Sequence, residues 1–232
     1  MIQNMVTEVR ARAANATVVV QTKEGGTGQG VLVPGSFILT AAHCVDWDHN
    51  GPMALGDHYI QKIHTASGKD LIVSPYAVEP VSDIAVLGPP DGQVFYKESV
   101  AFEEFCENTL PVSVSTDTYD FGVWFPVSVL SHLGNWISGH AVQYPGDGHV
   151  RTLHITTDEP TICGTSGGPI INERGEVVGV FSNAGDVATE LNIEHQCGRI
   201  GPCPRPHLAL PVWAWQAILK ATTAAREECN PQ

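Results

Sequence analysis

The chain has 232 residues, 43% of them apolar and only 16% charged, which is enough apolar material for one large domain or two small ones. Its formal net charge is −13, and the sequence contains no basic run, so nucleic acid and anionic membrane surfaces are poor electrostatic partners. The longest apolar runs, such as VVV at 18–20, fall far short of the roughly 20 residues that a membrane-spanning helix needs. We therefore expect neither a nucleic-acid partner nor a membrane partner.

The first 20 residues do not form a secretory signal, because Glu8, Arg10 and Arg12 interrupt them before any long apolar stretch. If Met1 is the natural start, we expect a cytoplasmic protein; if the chain has been trimmed, we expect a secreted one. The cysteines are scattered, and we interpret most of them as reduced thiols. They stand at positions 44, 106, 163, 197, 203 and 229.

In chain order, a short helix over Asn4 to Ala14 is followed by short, β-branched segments that turn residues separate, a pattern typical of an all-β sandwich or a pair of barrels. A long irregular segment between Asp91 and Pro111 marks the boundary between two halves. Apolar residues at three- and four-residue spacing then predict one C-terminal helix over 211–226. The first set of predicted strands is 17–22, 30–33, 37–41, 59–63, 70–73 and 84–87, and the second is 112–115, 124–130, 139–143, 151–156, 168–171 and 177–182.

Three motifs carry residues suited to nucleophilic catalysis: FILTAAHCV at 37–45, VSDIAVLG at 81–88 and ICGTSGGPII at 162–171. A serine hydroxyl, here Ser166, becomes a good nucleophile when an imidazole such as His43 takes its proton. A carboxylate such as Asp83 can fix the tautomer of that imidazole and stabilise its cation. Each residue alone also fits a structural role, as a strand-end histidine, a strand-entry aspartate or a turn serine. Their joint occurrence in the order His, Asp, Ser favours the catalytic interpretation.

With TAAHC at 40–44, SDIAVL at 82–87, GTSGGP at 164–169 and GVFSNAG at 179–185, the sequence resembles the trypsin-like (chymotrypsin-fold) serine proteases of bacterial type, over roughly Thr17 to Leu219. The resemblance implies an all-β fold of two six-stranded antiparallel β-barrels packed face to face, with the active site between them and a C-terminal helix. We predict a first barrel within 1–100, with the leading helix, His43 and Asp83. We predict a second within 101–232, with Ser166.

By the same resemblance, His43 is the general base, Asp83 its orienting carboxylate and Ser166 the nucleophile. The backbone N–H groups of Gly164 and Ser166 form the oxyanion hole, where glycine most easily lets amides converge. Thr165 stands where the digestive and clotting enzymes carry the aspartate that pairs with a newly cut N-terminus, and no matching cleavage signal precedes the first strand. We therefore expect activity without N-terminal processing. We also expect the activity to depend on a group with a pKa near 7, which is His43 in the free enzyme.

The resemblance places a substrate pocket around Pro160 and Thr161 at its base, with Phe181 and Asn183 on a wall, and Ser182 helping to hold the aspartate and the substrate strand. The position that reads Lys or Arg in trypsin carries no carboxylate, and the histidine of the glutamate-specific relatives is replaced by Phe181. A small or apolar substrate residue is our first expectation, and a basic one, through Glu159 or Asp186 nearby in the sequence, stays open as the alternative.

Around the catalytic histidine, the resemblance also implies that the usual disulfide of Cys44 is absent, because the strand around Gly28 to Val33 holds no cysteine. Cys163 then either lines the substrate cleft as a free thiol or is a plain buried cysteine. The segment HQCGRIGPCPRPH at 195–207 fits no common zinc site, which leaves a local Cys197–Cys203 disulfide or a plain loop, and we predict no metal.

The sequence thus predicts a serine endopeptidase that acts through an acyl-enzyme, without a cofactor. Its expected partners are a polypeptide substrate and, as an open alternative, a regulatory protein. Two competing functions remain: a catalytically idle member that uses the fold for binding, and an esterase with the same triad. The order of the triad, His then Asp then Ser, disfavours an α/β-hydrolase, in which the serine comes first.

Overall fold

The structure is a computed structural model that describes residues 2–22, 25–45, 60–79, 83–117, 119–120, 122–145, 151–159, 161–183 and 207–209. Its helices are α1 (Ile2–Asn15), α2 (Tyr96–Asn108) and a 3-10 turn over Ala42–Cys44. Its strands are β1 (Thr17–Gln21), β2 (Thr27–Val33), β3 (Phe37–Ala41), β4 (Gln61–Thr65), β5 (Asp70–Glu79), β6 (Ile84–Gly88), β7 (Trp124–Leu130), β8 (Trp136–Pro145), β9 (Arg151–Thr157), β10 (Pro169–Ile171), β11 (Val177–Asn183) and β12 (His207–Ala209). Within these ranges, no helix is long and apolar enough to cross a membrane.

The first six strands close into an antiparallel barrel in the order β1-β2-β3-β6-β5-β4. β1 completes the barrel because it pairs with β2 on one side and with β4 on the other. β3 and β6 are buried along their whole length, in keeping with sequences that are apolar except at Thr40, whose hydroxyl donates to the Gln29 carbonyl. These two strands end beside His43 and Asp83, so the rigid part of the barrel positions both residues.

The remaining six strands close into a second antiparallel barrel in the order β10-β11-β12-β9-β8-β7. β10 pairs with β7 on one side and with β11 on the other. The core of this barrel includes Val129, Ala141, Ile155, Ile170 and Phe181, all fully buried. The prediction of an all-β fold in two six-stranded barrels is confirmed.

Helix α1, which the sequence predicted over Asn4 to Ala14, contacts both halves of the molecule. Ala13 is fully buried and its carbonyl accepts a 2.8 Å hydrogen bond from the Thr17 hydroxyl at the start of the first barrel. Arg10 donates to the Ser128 hydroxyl of β7 at 2.9 Å and lies 5.9 Å above the ring of Trp136 in β8. The helix therefore straps the second barrel to the first.

The segment between the barrels is not irregular as the sequence suggested, because α2 occupies 13 of its residues. α2 buries Phe102 and Phe105 and leaves most other side chains exposed. Such a polar helix has too narrow an apolar face for a clear periodic signal. The predicted boundary between residues 100 and 101 falls inside it.

Two further expectations concern a strand and the C-terminal helix, and one strand of the structure was not expected. The strand predicted over 112–115 is wrong, since only Val114 forms a bridge, with Val177, and the surrounding residues run extended without a ladder. β12 was not predicted, because three residues carry no periodicity. The C-terminal helix over 211–226 lies outside the described residues, as do Cys197 and Cys203.

Candidate active site

His43 and Asp83 are brought together by the ends of two paired strands of the first barrel. Ala41 at the end of β3 pairs with Ile84 at the start of β6, so the residues that follow one strand and precede the other are neighbours. The Ala42 amide donates to the Asp83 carbonyl at 3.0 Å, and the His43 amide donates to Asp83 Oδ1 at 2.9 Å. Asp83 has φ +55°, a left-handed conformation in which aspartate is tolerated better than most residues. Its backbone and one carboxylate oxygen therefore anchor the histidine turn.

The second carboxylate oxygen of Asp83 is directed at the histidine ring. His43 Nδ1 lies 2.7 Å from Asp83 Oδ2, and the Ser182 hydroxyl of β11 donates to the same oxygen. Because a carboxylate accepts, the proton of the neutral ring resides on Nδ1, and Nε2 keeps its lone pair. This is the tautomer that can accept a proton from a serine hydroxyl.

These contacts set the charge states of the pair. The hydrogen bond to Asp83, helped by the neighbouring Cys44 thiol, raises the pKa of His43 to about 10, above the value near 7 expected from the sequence and against the opposing effect of burial. Burial by itself would raise the pKa of Asp83, but the hydrogen bonds from His43 and Ser182 outweigh it, so that the pKa lies below its usual value. Asp83 is therefore a carboxylate over the whole neutral range, and it stabilises the imidazolium that proton transfer would create.

Ser166 lies on a turn that three backbone hydrogen bonds hold against both barrels. The Gln29 amide of β2 donates to the Ser166 carbonyl at 2.6 Å, and the Gly167 amide donates to the Phe181 carbonyl of β11 at 2.6 Å. The Phe181 amide returns a bond to the Gly168 carbonyl at 2.8 Å. Gly167 has φ +81°, which a residue with a side chain rarely adopts. The serine turn is thus fixed from two sides.

The amides of Gly164 and Ser166 donate no hydrogen bond to any of the residues that the structure describes. Gly164 has φ +89°, and the next amide, that of Thr165, is occupied by the Ile162 carbonyl at 3.2 Å. An oxyanion hole requires two such unpaired N–H groups that point at one spot. The Ser166 hydroxyl likewise makes no hydrogen bond within the described ranges, and hydrogen bonds of a catalytic serine often form fully only when substrate binds.

The residues expected around the substrate have different surroundings. Thr161 is 9% exposed, and its hydroxyl has no hydrogen-bond partner in the part of the chain that the structure describes. Phe181 is fully buried and Ser182 is 5% exposed, with its hydroxyl directed at Asp83. The Asn183 backbone pairs with Leu208 of β12. Pro160 lies outside the described residues.

Among the residues that the structure describes, Cys44, Cys106 and Cys163 form no disulfide. Cys44 is buried beside Gly28, where an added Cβ atom would lie 3.1 Å from the Cβ atom of Cys44. A cysteine at position 28 would face Cys44, so the glycine there accounts for the absence of the disulfide. Cys163 is exposed and directly precedes Gly164. Its exposure excludes the plain buried alternative.

Two residues beside the site carried no signal in the sequence. Gln29 is 3% exposed and hydrogen-bonds the serine turn, and His132 packs against Gly164. Both contacts join parts of the chain more than 30 residues apart, which spacing cannot show. Among the described residues, no cluster of three or more His, Cys, Asp or Glu side chains is arranged to hold a metal ion.

Solved structures similar to this chain are serine proteases of low sequence identity, which supports the fold alone. The serine endoprotease of Yersinia pestis has a TM-score of 0.60 at 16% identity, covering 94% of this chain and 66% of its own. An inactive Ser-to-Ala mutant of Rv3671c from Mycobacterium tuberculosis has a TM-score of 0.55 at 16% identity, covering 93% and 90%. The active form of that protease has a TM-score of 0.55 at 18% identity, covering 88% and 78%.

Curated protein sequences include no significant match to this chain. The profile of the trypsin-like peptidase domain, however, matches residues 26–180. That range contains His43, Asp83 and Ser166 and most of the described strands. Because this match spans more than half of the chain, the chain belongs to the trypsin-like peptidase family.

Proposed function

We propose that this trypsin-like peptidase is a serine endopeptidase that hydrolyses peptide bonds through an acyl-enzyme intermediate. The observation that carries the proposal is the 2.7 Å bond between His43 Nδ1 and Asp83 Oδ2, with Ser182 donating to the same oxygen. A solvated histidine at a strand end needs no such double support. A general base does, because its ring must keep one tautomer while the other nitrogen reacts.

In the first half of the reaction, Ser166 Oγ attacks the scissile carbonyl carbon while His43 Nε2 takes the hydroxyl proton. The carbonyl oxygen becomes an oxyanion, which the amides of Gly164 and Ser166 bind. The tetrahedral intermediate collapses when the imidazolium gives its proton to the leaving amine, and the acyl group stays on Ser166. Water then attacks the acyl carbonyl carbon while His43 Nε2 takes its proton. The ester bond to Ser166 breaks, His43 returns the proton to Ser166 Oγ, and the acid product leaves.

The substrate we expect is a polypeptide whose residue before the scissile bond is small or apolar. Thr161 contributes an uncharged, buried hydroxyl, and Phe181 contributes a fully buried apolar ring. Neither group would stabilise a charged substrate side chain, which loses its hydration on entry. The base of the pocket at Pro160 and its wall at Asn183 belong to the same proposal.

The first experiment is labelling with a fluorescent fluorophosphonate, which reacts with activated serines. We expect the purified chain to be labelled at Ser166, and Ser166→Ala to abolish labelling. Ser182→Gly, by contrast, would keep the nucleophile while it removes one support of Asp83, and should label more slowly. A wild-type chain that never labels would favour the idle binding module.

The second experiment is cleavage of a peptide library followed by mass spectrometry, with ester substrates assayed in parallel. Ser166→Ala and His43→Ala should each lower kcat by roughly 10⁴ to 10⁶ without unfolding the protein. Ester hydrolysis without any peptide cleavage would favour the esterase. Activity of Ser166→Ala within tenfold of wild type would contradict the triad.

A further inference from the structure

The turn between β7 and β8, residues 131–135, is a tight structure with its own hydrogen bonds. The Ser131 amide donates to the Asn135 carbonyl at 2.8 Å, and the Gly134 amide donates to the Ser131 carbonyl at 2.9 Å. The Ser131 hydroxyl accepts from the Asn135 amide at 3.2 Å. These bonds, with Gly134 at φ +81°, hold the turn in one shape before it contacts anything else.

This turn packs directly on the residues before the nucleophile. The His132 amide donates to the Thr165 hydroxyl at 3.3 Å, and Thr165 is fully buried. A Cβ atom added to Gly164 would lie 2.9 Å from His132 Cγ and 3.0 Å from His132 Nδ1. The imidazole of His132 therefore occupies the space beside Gly164 that a side chain would otherwise need.

One residue of the first barrel holds both the turn and the nucleophile. Gln29 Nε2 donates to the Ser131 carbonyl at 3.0 Å, while the Gln29 amide donates to the Ser166 carbonyl at 2.6 Å. The Gln29 carbonyl in turn accepts from the Thr40 hydroxyl at 2.6 Å. The position of the turn relative to Ser166 is thus set by β2.

We propose that His132 and Thr165 are positioning residues that order the oxyanion hole, and this inference rests on the peptidase function proposed above. Glycine adopts many conformations, so a site that needs Gly164 at one positive φ must confine it from outside. The ring of His132 confines Gly164 on one side, and the Thr165 hydroxyl holds the backbone of His132 through the hydrogen bond from its amide. Thr165 is uncharged, so this packing takes the place of an ion pair at that position.

The role of the His132 ring is to fill space, because its Nδ1 atom is buried and has no hydrogen-bond partner among the described residues. A buried polar atom without a partner costs stability, and an apolar ring of similar shape avoids that cost. His132→Phe should therefore retain the function of the ring, and His132→Ala should lose it. This contrast separates confinement of Gly164 from any proton transfer by His132.

The test compares two matched pairs of variants on the peptide cleaved best by wild type. We expect His132→Ala to lower kcat about 10- to 100-fold with KM changed less than threefold, because only the oxyanion contacts of the transition state are weakened. His132→Phe should stay within threefold of wild type. Thr165→Val, which keeps the shape but removes the acceptor, should lower kcat about tenfold, and Thr165→Ser should restore it.

Amide hydrogen exchange provides a readout that does not depend on activity. We expect the His132 amide to exchange faster in Thr165→Val than in wild type and at the wild-type rate in Thr165→Ser. If wild type is not labelled by fluorophosphonate, the proposed function fails, and this exchange result still decides whether Thr165 holds the turn. Unchanged exchange in Thr165→Val, or kcat per folded molecule unchanged in His132→Ala, would overturn the inference. Equal impairment of His132→Phe and His132→Ala would overturn it as well.

Discussion

Gly167→Ala should damage both stability and catalysis, because Gly167 lies where the two barrels meet beneath Ser166. An added Cβ atom would lie 1.9 Å from the Gln29 carbonyl oxygen and 2.5 Å from Thr40 Oγ1. Real Cβ contacts are essentially never under 3.0 Å, so the two segments must separate by roughly 1 Å. The Gln29 carbonyl cannot retreat freely, since it accepts from Thr40 and its own amide donates to Ser166.

Gly68→Ala is the matched control for this substitution. Gly68, in the turn between β4 and β5, has the same φ of +81°, but an added Cβ atom would have nothing within 4 Å. Both variants incur the backbone cost of about 1–2 kcal/mol for a side chain in the left-handed region. Gly167→Ala adds about 1–3 kcal/mol of overpacking and about 1 kcal/mol for a weakened buried hydrogen bond. We expect the free energy of unfolding to fall about 2–4 kcal/mol further than in the control.

Urea unfolding followed by tryptophan fluorescence measures this difference, and kcat measures the displacement of Ser166. A shift of roughly 1 Å at the reacting group lowers kcat by roughly 100-fold, whereas Gly68→Ala should leave kcat unchanged. The contact at Gly167 does not have the role assigned to it if the two variants have equal kcat and free energies of unfolding that differ by less than about 0.5 kcal/mol. That threshold is about the usual error of additivity between distant sites.

Three further predictions concern the chemistry. The rate should rise with pH as the His43 imidazolium loses its proton, and the inflection should lie above the ordinary 6.5 because Asp83 raises the pKa of His43. Asp83→Asn should move the inflection downward and lower kcat by about 10⁴, whereas a flat pH profile in wild type would point to another base. The intact chain should be labelled at Ser166 by fluorophosphonate, alone or with a partner, as intact mass would show, whereas labelling only after residues are lost from the N-terminus would refute activity without processing. Gly28→Cys should form a disulfide with Cys44 and lower the intact mass by about 2 Da relative to the reduced variant. The two Cβ atoms would lie 3.1 Å apart, a few tenths of an ångström below the range of about 3.5–4.5 Å in disulfides, which a small shift of either residue restores; a stable pair of free thiols under oxidising conditions would contradict this geometry.

The sequence predicted the residues that local patterns encode. His43, Asp83 and Ser166 each lie in a motif that combines a strand end with a turn, and β7 and α1 have clear periodicity. α2 was missed because its buried residues, Phe102 and Phe105, form only one narrow contact. The network of Gln29, His132 and Thr165 could not be predicted, since it joins residues that are far apart in the chain through contacts of shape rather than of composition.

The strap formed by α1 also has a consequence for synthesis of the protein. Arg10 and its hydrogen-bond partner Ser128 are 118 residues apart, and Trp136 is farther still. At roughly 5–20 residues per second, the ribosome needs roughly 6–24 s to make the surface on which this face of α1 packs. β1 to β6 are made within that time and can close the first barrel, to which Ala13 already belongs. The nascent chain would then carry a folded first barrel, with one face of α1 still exposed to solvent. A chaperone can bind that face until β7 and β8 emerge.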